Sequence, residues 1–479
     1  MSPYWMNNSC SPFTGPNGSC TLGNLASYAI NVSDAATVAA GIQFAQEKNL
    51  RLSIKNTGHD YIGRSNGEGS LGLWTHNLKN ISFLNYRSLG YTGPAVKLGA
   101  GVQAFEIYEA AAQNGLRVTG GYCPSVGLTG GFFQSGGHGP LASAYGLAAD
   151  NTLEFEVVTT NGQHMIASPT QNSDLYWALS GGGAGNFAVV LSLTTKAHVD
   201  GPTSGASFSF ANTDEANYWN AVALWNKHLL YLDTIPGFST NWAFDESIFV
   251  LEFATFPGGD EAAMNAALSP FFRELEKINV TLASNVTTEG ATFYQHFETY
   301  VANNNFAFAP NETLGGRLIS RSAVENSLPA LIDIFREILT DNTFALKRIN
   351  GASYNVTHAR VGNTPASNSV LPAWRDSLYT LSAGVGFISN TSTAELQIAQ
   401  AKVNSWQNLF KPVTPGGGAY MNEATWNDPD YKEDYFGENY EKLLQIKRKY
   451  DPNFALWQHT SVGSDAYWEV AADGRLCKI

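Results

Sequence analysis

Two side chains stand out by type and setting. His59 follows a glycine in NTGHDYIGRSNGEGS (residues 56–70), and Cys123 lies in the glycine-dense run TGGYCPSVGLTGGFFQSGGHGPL (residues 119–141). Both types are nucleophiles, and beyond metal binding both can be tethered to a cofactor. Taken singly, a histidine after glycine reads as a surface or capping residue and a lone cysteine as a small buried hydrophobe. Glycine at this density inside a compact domain costs backbone entropy, and no low-complexity repeat excuses it. Its most economical use is to let backbone N–H groups approach a large ligand. A third glycine loop at residues 181–185 extends the expectation to one pocket holding one long ligand.

Other motifs mislead. Gly183, Gly185 and Ala188 satisfy G-x-G-x-x-A, but the apolar pattern puts a helix before and a strand after, the reverse of the dinucleotide-binding order. Gly63, Ser65 and Gly67 in GRSNG satisfy the G-x-S-x-G of serine hydrolases, yet both flanks are polar loop where a buried strand and a helix are needed. There is no H-E-x-x-H, C-x-x-C or G-x-x-x-x-G-K, so no metal site, thioredoxin-like centre or nucleotide kinase is expected.

Hydrophobic periodicity supplies the elements that must position these loops. Helices are expected over 34–49, 102–114, 174–179, 215–230, 261–275, 323–339, 393–410 and 435–450. Strands are expected over 50–54, 71–75, 95–98, 187–194, 207–210, 248–255 and 383–388. Residues 153–159 and 163–166, joined through Asn161 and Gly162, read as a hairpin. Glycine thins out from about residue 201 to the Pro/Gly stretch 412–418, which marks a middle region of α+β character.

The chain has 479 residues, of which 44% are hydrophobic and 14% charged, so it is long enough for several domains and too apolar for intrinsic disorder. Its net charge of −13 is spread without a basic run. A phosphate backbone would be repelled, so nucleic acid is not an expected partner. No apolar run is long enough to span a membrane. The start lacks a basic segment followed by an apolar one, which taken literally reads as cytosolic. Nine N-x-S/T acceptors, at Asn7, Asn17, Asn31, Asn80, Asn279, Asn285, Asn311, Asn355 and Asn390, favour secretion instead. The expectation is therefore a secreted chain whose signal peptide has been removed. Cys10 and Cys20 make a natural short-loop disulfide. Cys477 could pair with Cys123 or with a cysteine outside this chain.

The segments NTGHDYIGRS, GYCPSVGLTGGFFQSGGHGPLASAYGLAADN, DLYWALSGGGAGNFAVV and FGENYEKLLQIKRKYDP, in that order, resemble the berberine-bridge-enzyme-like FAD-linked oxidases of the vanillyl-alcohol-oxidase superfamily, within them the fungal isoamyl-alcohol-oxidase-like branch. The resemblance spans about residues 27–468. It implies an α+β, two-domain FAD-binding fold: residues 1–204 and 415–479 form the FAD domain, and residues 205–414 a substrate domain built on an antiparallel sheet flanked by helices. It also implies a bicovalent FAD, linked at flavin C8α through His59 and at C6 through Cys123. Asn56, Thr57, Gly58, Asp60 and Ser65 would meet the cofactor on the first loop, with backbone N–H groups of residues 57–60 forming an anion site. Val126, Gly127, Gly130, Gly131, His138, Gly139 and Leu141 would line it from the second loop, and Gly185, Asn186 and Val189 from the third.

By the same resemblance Val126 takes the position that controls oxygen access, and its small side chain resembles the oxygen-permitting state. The implied activity is an oxidase passing hydride from an alcohol, a carbohydrate-type hydroxyl or a related secondary metabolite to FAD, with O2 reduced to H2O2. A dehydrogenase on the same scaffold is the alternative, a serine hydrolase using GRSNG a distant one. Partners are a small-molecule substrate and O2, and the chain is expected to be a monomer. Several relatives carry a carboxylate base on strands before the stretch corresponding to LPAWR, residues 371–375. Here no Asp or Glu occurs between Asp341 and Asp376. Tyr420, with Asn422 in the Tyr-x-Asn position, is the remaining candidate, although a phenol near pKa 10 is a poor base without a group that lowers it.

Overall fold

The computed structural model describes residues 17, 20–302, 312–387, 391–471 and 475–479. Close to the N-terminus a helix, Ala35–Glu47, starts where the Asp34 carboxylate accepts from the Thr37 N–H at 2.8 Å. Its buried Val38, Ile42 and Ala45 pack on Leu52, Leu71 and Leu73 of a small parallel sheet. That sheet has Leu71–Trp74 at its centre, between Tyr28–Asn31 and Leu52–Lys55. Leu52–Lys55 feeds directly into the loop that carries His59.

A five-stranded antiparallel sheet follows, ordered Ile81–Arg87, Thr92–Gly99, Val189–Lys196, Thr152–Val158, His164–Ala167. Its core takes in side chains from both ends of the chain. Phe155, Leu193, Leu175 and Phe187 pack with Met421, Tyr435, Leu443 and Phe454. The buried Lys447 ammonium ties the tail to this body by bonding Asp451 at 2.7 Å and the carbonyls of Asn186 at 2.5 Å and Leu456 at 2.8 Å.

The middle of the chain forms a seven-stranded sheet whose neighbours, all antiparallel, run Ser284–Gly290, Thr203–Ala211, Ile248–Pro257, Ser239–Phe244, Lys347–Ser353, Ser377–Gly386, Glu312–Ser320. The helices Glu215–Leu232, Glu261–Lys277, Arg321–Leu339 and Thr393–Phe410 supply most of the core against one face, where Trp242, Ile349, Tyr379, Ala383 and Val385 are buried. Alternation along each strand sends Asn241, Asn350, Thr380 and Ser382 to the opposite face, into a cleft shared with the loops of the first part.

The expected helices appear, with one change. The helix expected over 435–450 is two, Tyr431–Phe436 and Tyr440–Tyr450, because Gly437 turns the chain with φ +56°. Several strands were not expected, among them Ile81–Arg87, Ser239–Phe244, Ser284–Gly290, Glu312–Ser320 and Lys347–Ser353. The first and third of these are half-solvated edges. The last two carry glycines where apolar alternation would have shown: a Cβ at Gly316 would strike the Glu423 carbonyl, and one at Gly351 the Trp242 ring. The strand expected over 383–388 is the end of Ser377–Gly386, and Ile388 lies outside the described residues. Among the described residues no helix is long and apolar enough to cross a membrane.

Candidate active site

The cleft is built around two loops. In the first, Gly58 and Gly63 take φ of +83° and +82°, which lets residues 56–65 fold back over the end of strand Leu52–Lys55. Asn56 anchors it: its amide donates to the Ala100 carbonyl at 2.6 Å and to Thr75 Oγ1 at 3.0 Å. In the second loop, the Cys123 carbonyl accepts from the Val126 N–H at 3.3 Å, closing a turn. Its register is pinned where the Val126 carbonyl accepts from Ala104 N–H at 3.0 Å and Gln103 Nε2 donates to the Ser125 carbonyl at 2.7 Å.

These turns bring the two nucleophiles to a common partner. His59 Nε2 lies 2.9 Å from Ser125 Oγ, and the same oxygen lies 3.6 Å from Cys123 Sγ. Burial pushes the His59 imidazole down to a pKa of about 4, so it is neutral at physiological pH and nucleophilic. Cys123 and Cys477 are free thiols and do not pair. Cys10, one half of the expected Cys10–Cys20 bridge, lies outside the described residues.

Asn56, Thr57, Gly58, Asp60, Ser65, Val126, Gly127, Gly130, Gly131, His138 and Gly185 all line the cleft with His59 and Cys123, and Tyr420 and Asn422 close it from the C-terminal segment. Gly139, Leu141, Asn186 and Val189 are not among the residues that line it. Leu141 and Val189 are core residues, Asn186 is buried with its side-chain Oδ1 and Nδ2 unpartnered, and Gly139 is small because a Cβ there would collide with the Gly120 carbonyl. The glycines that do line the cleft have mixed reasons. Gly127 and Gly130 make room for the Asn56 side chain, into which a Cβ on either would run, whereas a Cβ on Gly131 would meet nothing within 4 Å. Backbone contact with a ligand thus accounts for part of the glycine density, and loop-on-loop packing for the rest.

The cleft fits a long, partly polar cofactor. Asn56 Oδ1, Ser65 Oγ and Gln134 Oε1 are buried lining atoms with no partner in the protein, and such groups are rarely left unsatisfied. The open face at Gly131 can take backbone-close contact. The Ser65 hydroxyl bonds no base, which removes the hydrolase reading of GRSNG. Asp428, Asp430 and Asp434 cluster elsewhere, where Lys411, Arg317 and Gln407 already engage their carboxylates.

Residues 420–423 form a second constellation. The Glu423 N–H donates to the Tyr420 carbonyl at 2.9 Å, a turn that sets both side chains over the cleft. Arg64 clamps it from the His59 loop, donating to the Met421 carbonyl at 3.0 Å and Asn422 Oδ1 at 2.7 Å while its own backbone and side chain are held by Asp60. Asn422 Nδ2 donates to the Tyr420 hydroxyl at 2.8 Å. Burial, and then the Glu423 charge, push the Tyr420 phenol well above its ordinary value, with Asn422 and Arg64 opposing. Glu423 is absent from the sequence-based site, although its place directly after Tyr-x-Asn is a usable signal. Tyr122 and Arg64 are absent as well, and nothing in their sequence setting distinguishes them from packing residues.

A flavin-dependent oxidoreductase is the class these loops and this cleft define. Residues 26–168 match the family model "FAD binding domain" and residues 419–463 the model "Berberine and berberine like". The chain is 42% identical to the VAO-type flavoprotein oxidase VAO615 of Thermothelomyces thermophilus, covering 100% of this chain and 83% of that protein. Its fold matches the crystal structure of the VAO-type flavoprotein MtVAO615 from Myceliophthora thermophila C1 at TM-score 0.92 and 41% identity, over 100% of this chain and 87% of the other. At 19% identity, TM-score 0.75 and 93% coverage of each chain it shares the fold of the glucooligosaccharide oxidase from Acremonium strictum, described with a 6-S-cysteinyl, 8α-N1-histidyl FAD. The chain belongs to the VAO-type, berberine-bridge-enzyme-like family of FAD-linked oxidoreductases.

Proposed function

We propose that this chain is a secreted oxidase acting on a neutral alcohol or carbohydrate-type hydroxyl, with FAD bonded to both His59 and Cys123 and O2 reduced to H2O2. The observation that carries it is the convergence of those two side chains on Ser125 Oγ at one end of the cleft. Bound FAD supplies a hydride acceptor for the substrate carbon and the electrons that O2 takes up. The protein supplies position. Asn56, Ser65 and Gln134 offer the unpaired polar atoms for the cofactor, and residues 1–204 with 415–479 form the part that holds it.

The remaining part, residues 205–414, presents Asn241, Asn350, Thr380 and Ser382 from its sheet. These neutral hydrogen-bonding groups suit a hydroxylated substrate. Of the cleft's ionic groups Arg64 is paired with Asp60, so Glu423 faces the substrate without a free cation beside it and disfavours an anionic substrate. Tyr420 and Asn422 hold the substrate hydroxyl; the raised pKa of Tyr420 argues against its acting alone as base. Secretion is supported by the exposure of Asn17, Asn31, Asn80, Asn279 and Asn285. Asn355 is part-buried and its amide donates to Asp233, so it is not presented as an acceptor. Asn7, Asn311 and Asn390 lie outside the described residues.

The test is direct. Purified protein should be yellow, keep its flavin in an acid precipitate, and release peroxide with at least one member of a panel of cellobiose, xylobiose, benzyl alcohol and 3-methylbutan-1-ol. A colourless chain, or flavin released by acid, removes the bicovalent assignment. Flavin reduction without peroxide selects the dehydrogenase.

A further inference from the structure

A chain of buried side chains runs behind Tyr420 and ends on Glu423. His138 Nε2 lies 3.1 Å from Glu423 Oε2, and His138 Nδ1 lies 2.9 Å from the Tyr354 hydroxyl, which in turn bonds the Tyr122 hydroxyl. His138 sits in an aromatic box of Tyr122, Tyr354, Trp374 and Tyr420, with ring centroids 4.9 to 6.0 Å away. Its side chain is only 5% exposed while that of Glu423 is 35% exposed, on the cleft. Every member is satisfied in one arrangement: Tyr122 donates to Tyr354, Tyr354 to His138 Nδ1, and His138 Nε2–H to the carboxylate. A carboxylate held by a buried imidazole, itself held by a phenol, has the orientation expected of a general base.

We propose that Glu423, oriented by His138 and Tyr354, is the catalytic base that takes the substrate hydroxyl proton. This rests on the oxidase reading above and supplies the acceptor that the sheet strands lack. In the step, the O–H bond breaks and its electron pair becomes the second bond of the new carbonyl, while the proton goes to Glu423. The C–H bond breaks with its pair leaving as hydride to the oxidised flavin, so the alcohol loses two electrons and two protons: one proton to Glu423, and the other with both electrons as the hydride. Glu423 reaches the cleft from the turn that Arg64 clamps, and Gly316 on the outermost strand is small because the Glu423 backbone carbonyl passes there. The groups that face its carboxylate are Tyr420 on its own turn, Tyr61 from the His59 loop, Tyr122 and His138 from the Cys123 loop, and Tyr354; Arg64 stands one residue away on Asn422. The tyrosines stay protonated, since burial raises each of them.

The experiment compares wild type, Glu423→Gln and Glu423→Asp as flavinylated proteins, using whichever panel alcohol reduces the wild type fastest. Acid-precipitable flavin and the visible spectrum report the cofactor independently of turnover. The expected result is full flavin content in Glu423→Gln, anaerobic reduction slowed by a hundredfold or more, reoxidation by O2 unchanged, and loss of the acid limb in the pH profile of reduction. Glu423→Asp should fall between the two, with that limb retained, and it decides the matter if the Gln variant fails to load flavin. Reduction of Glu423→Gln within threefold of wild type with its acid limb kept, or, where that variant carries no flavin, a Glu423→Asp variant matching wild type in both rate and acid limb, would overturn the assignment while leaving the oxidase reading intact. Failure of every panel alcohol to reduce the wild type would overturn both.

Discussion

The Ser125 hydroxyl lies 2.9 Å from His59 Nε2, and this bond decides which imidazole nitrogen is free. Ser125 occupies Nε2, so Nδ1 is the nitrogen left for the proposed flavin link. The same hydroxyl reaches the Cys123 sulfur at 3.6 Å, so one side chain sets the spacing of both proposed tethers.

Replacing that hydroxyl should therefore affect one link more than the other. Ser125→Ala removes a hydrogen bond worth about 1 kcal/mol, roughly a fivefold change in a rate that depends on it. The variant should still be yellow after acid precipitation, held through Cys123, but peptide mapping should find His59 incompletely flavinylated at early times. His59 modification at the wild-type rate would remove Ser125 from the attachment chemistry.

The two parts of the molecule are joined by a buried ion pair whose loss should be costly. The Asp150 side chain is fully buried and accepts from Arg375 at 2.8 and 2.9 Å, Asn363 at 2.6 Å, Asn368 at 2.7 Å and the Leu147 N–H at 2.9 Å. Asp150→Ala would strand the Arg375 charge, and breaking such pairs costs about 3–5 kcal/mol. Denaturant unfolding should show a loss of that size. A loss below about 1 kcal/mol would mean that Arg375 finds water.

Much of this arrangement was legible and some was not. His59 and Cys123 announced themselves because a nucleophile among glycines has few packing reasons to be there. The helices showed through their apolar spacing. What stayed hidden lies on the strand face of the cleft: Asn350 and Gly351, or Gly315 and Gly316, replace the apolar half of the alternation with small and polar residues. A strand serving a ligand on one face loses the signal that identifies strands. Glu423 was hidden differently. Its meaning depends on His138, 285 residues away in sequence, and no local pattern encodes that pairing.

Acid should unfold the protein in two windows. Burial holds His198, His228 and His459 at about 4 and His296 at about 3, against about 6.5 unfolded. The unfolded chain then binds more protons below pH 6.5, so stability falls as pH drops from about 6.5 toward 4. Glu156 and Asp341 are held at about 2 by lysine partners and hydrogen bonds that outweigh desolvation. Their contribution is present above the ordinary carboxylate range and is lost as pH falls from about 4 to 2. Melting temperature measured from about pH 8 to 3 should decline first between about 6.5 and 4. A flat profile across that interval would contradict the burial of these imidazoles.

Val126 gives the means to separate oxidase from dehydrogenase. Its backbone is fixed on both sides, by the Cys123 carbonyl and by Ala104, and its side chain lines the cleft three residues from the proposed sulfur link. If it controls oxygen approach, one added methylene matters to O2 and little to an alcohol arriving from the sheet side, where Asn350 and Thr380 stand. Val126→Leu should leave anaerobic reduction within about twofold of wild type and slow reoxidation by O2 about tenfold, equivalent to roughly 1.4 kcal/mol in the barrier. Stopped-flow absorbance at the flavin band reads the two halves separately. Equal reoxidation rates in the two proteins would place the oxygen path elsewhere in the cleft, and slowed reduction alone would make Val126 a substrate contact.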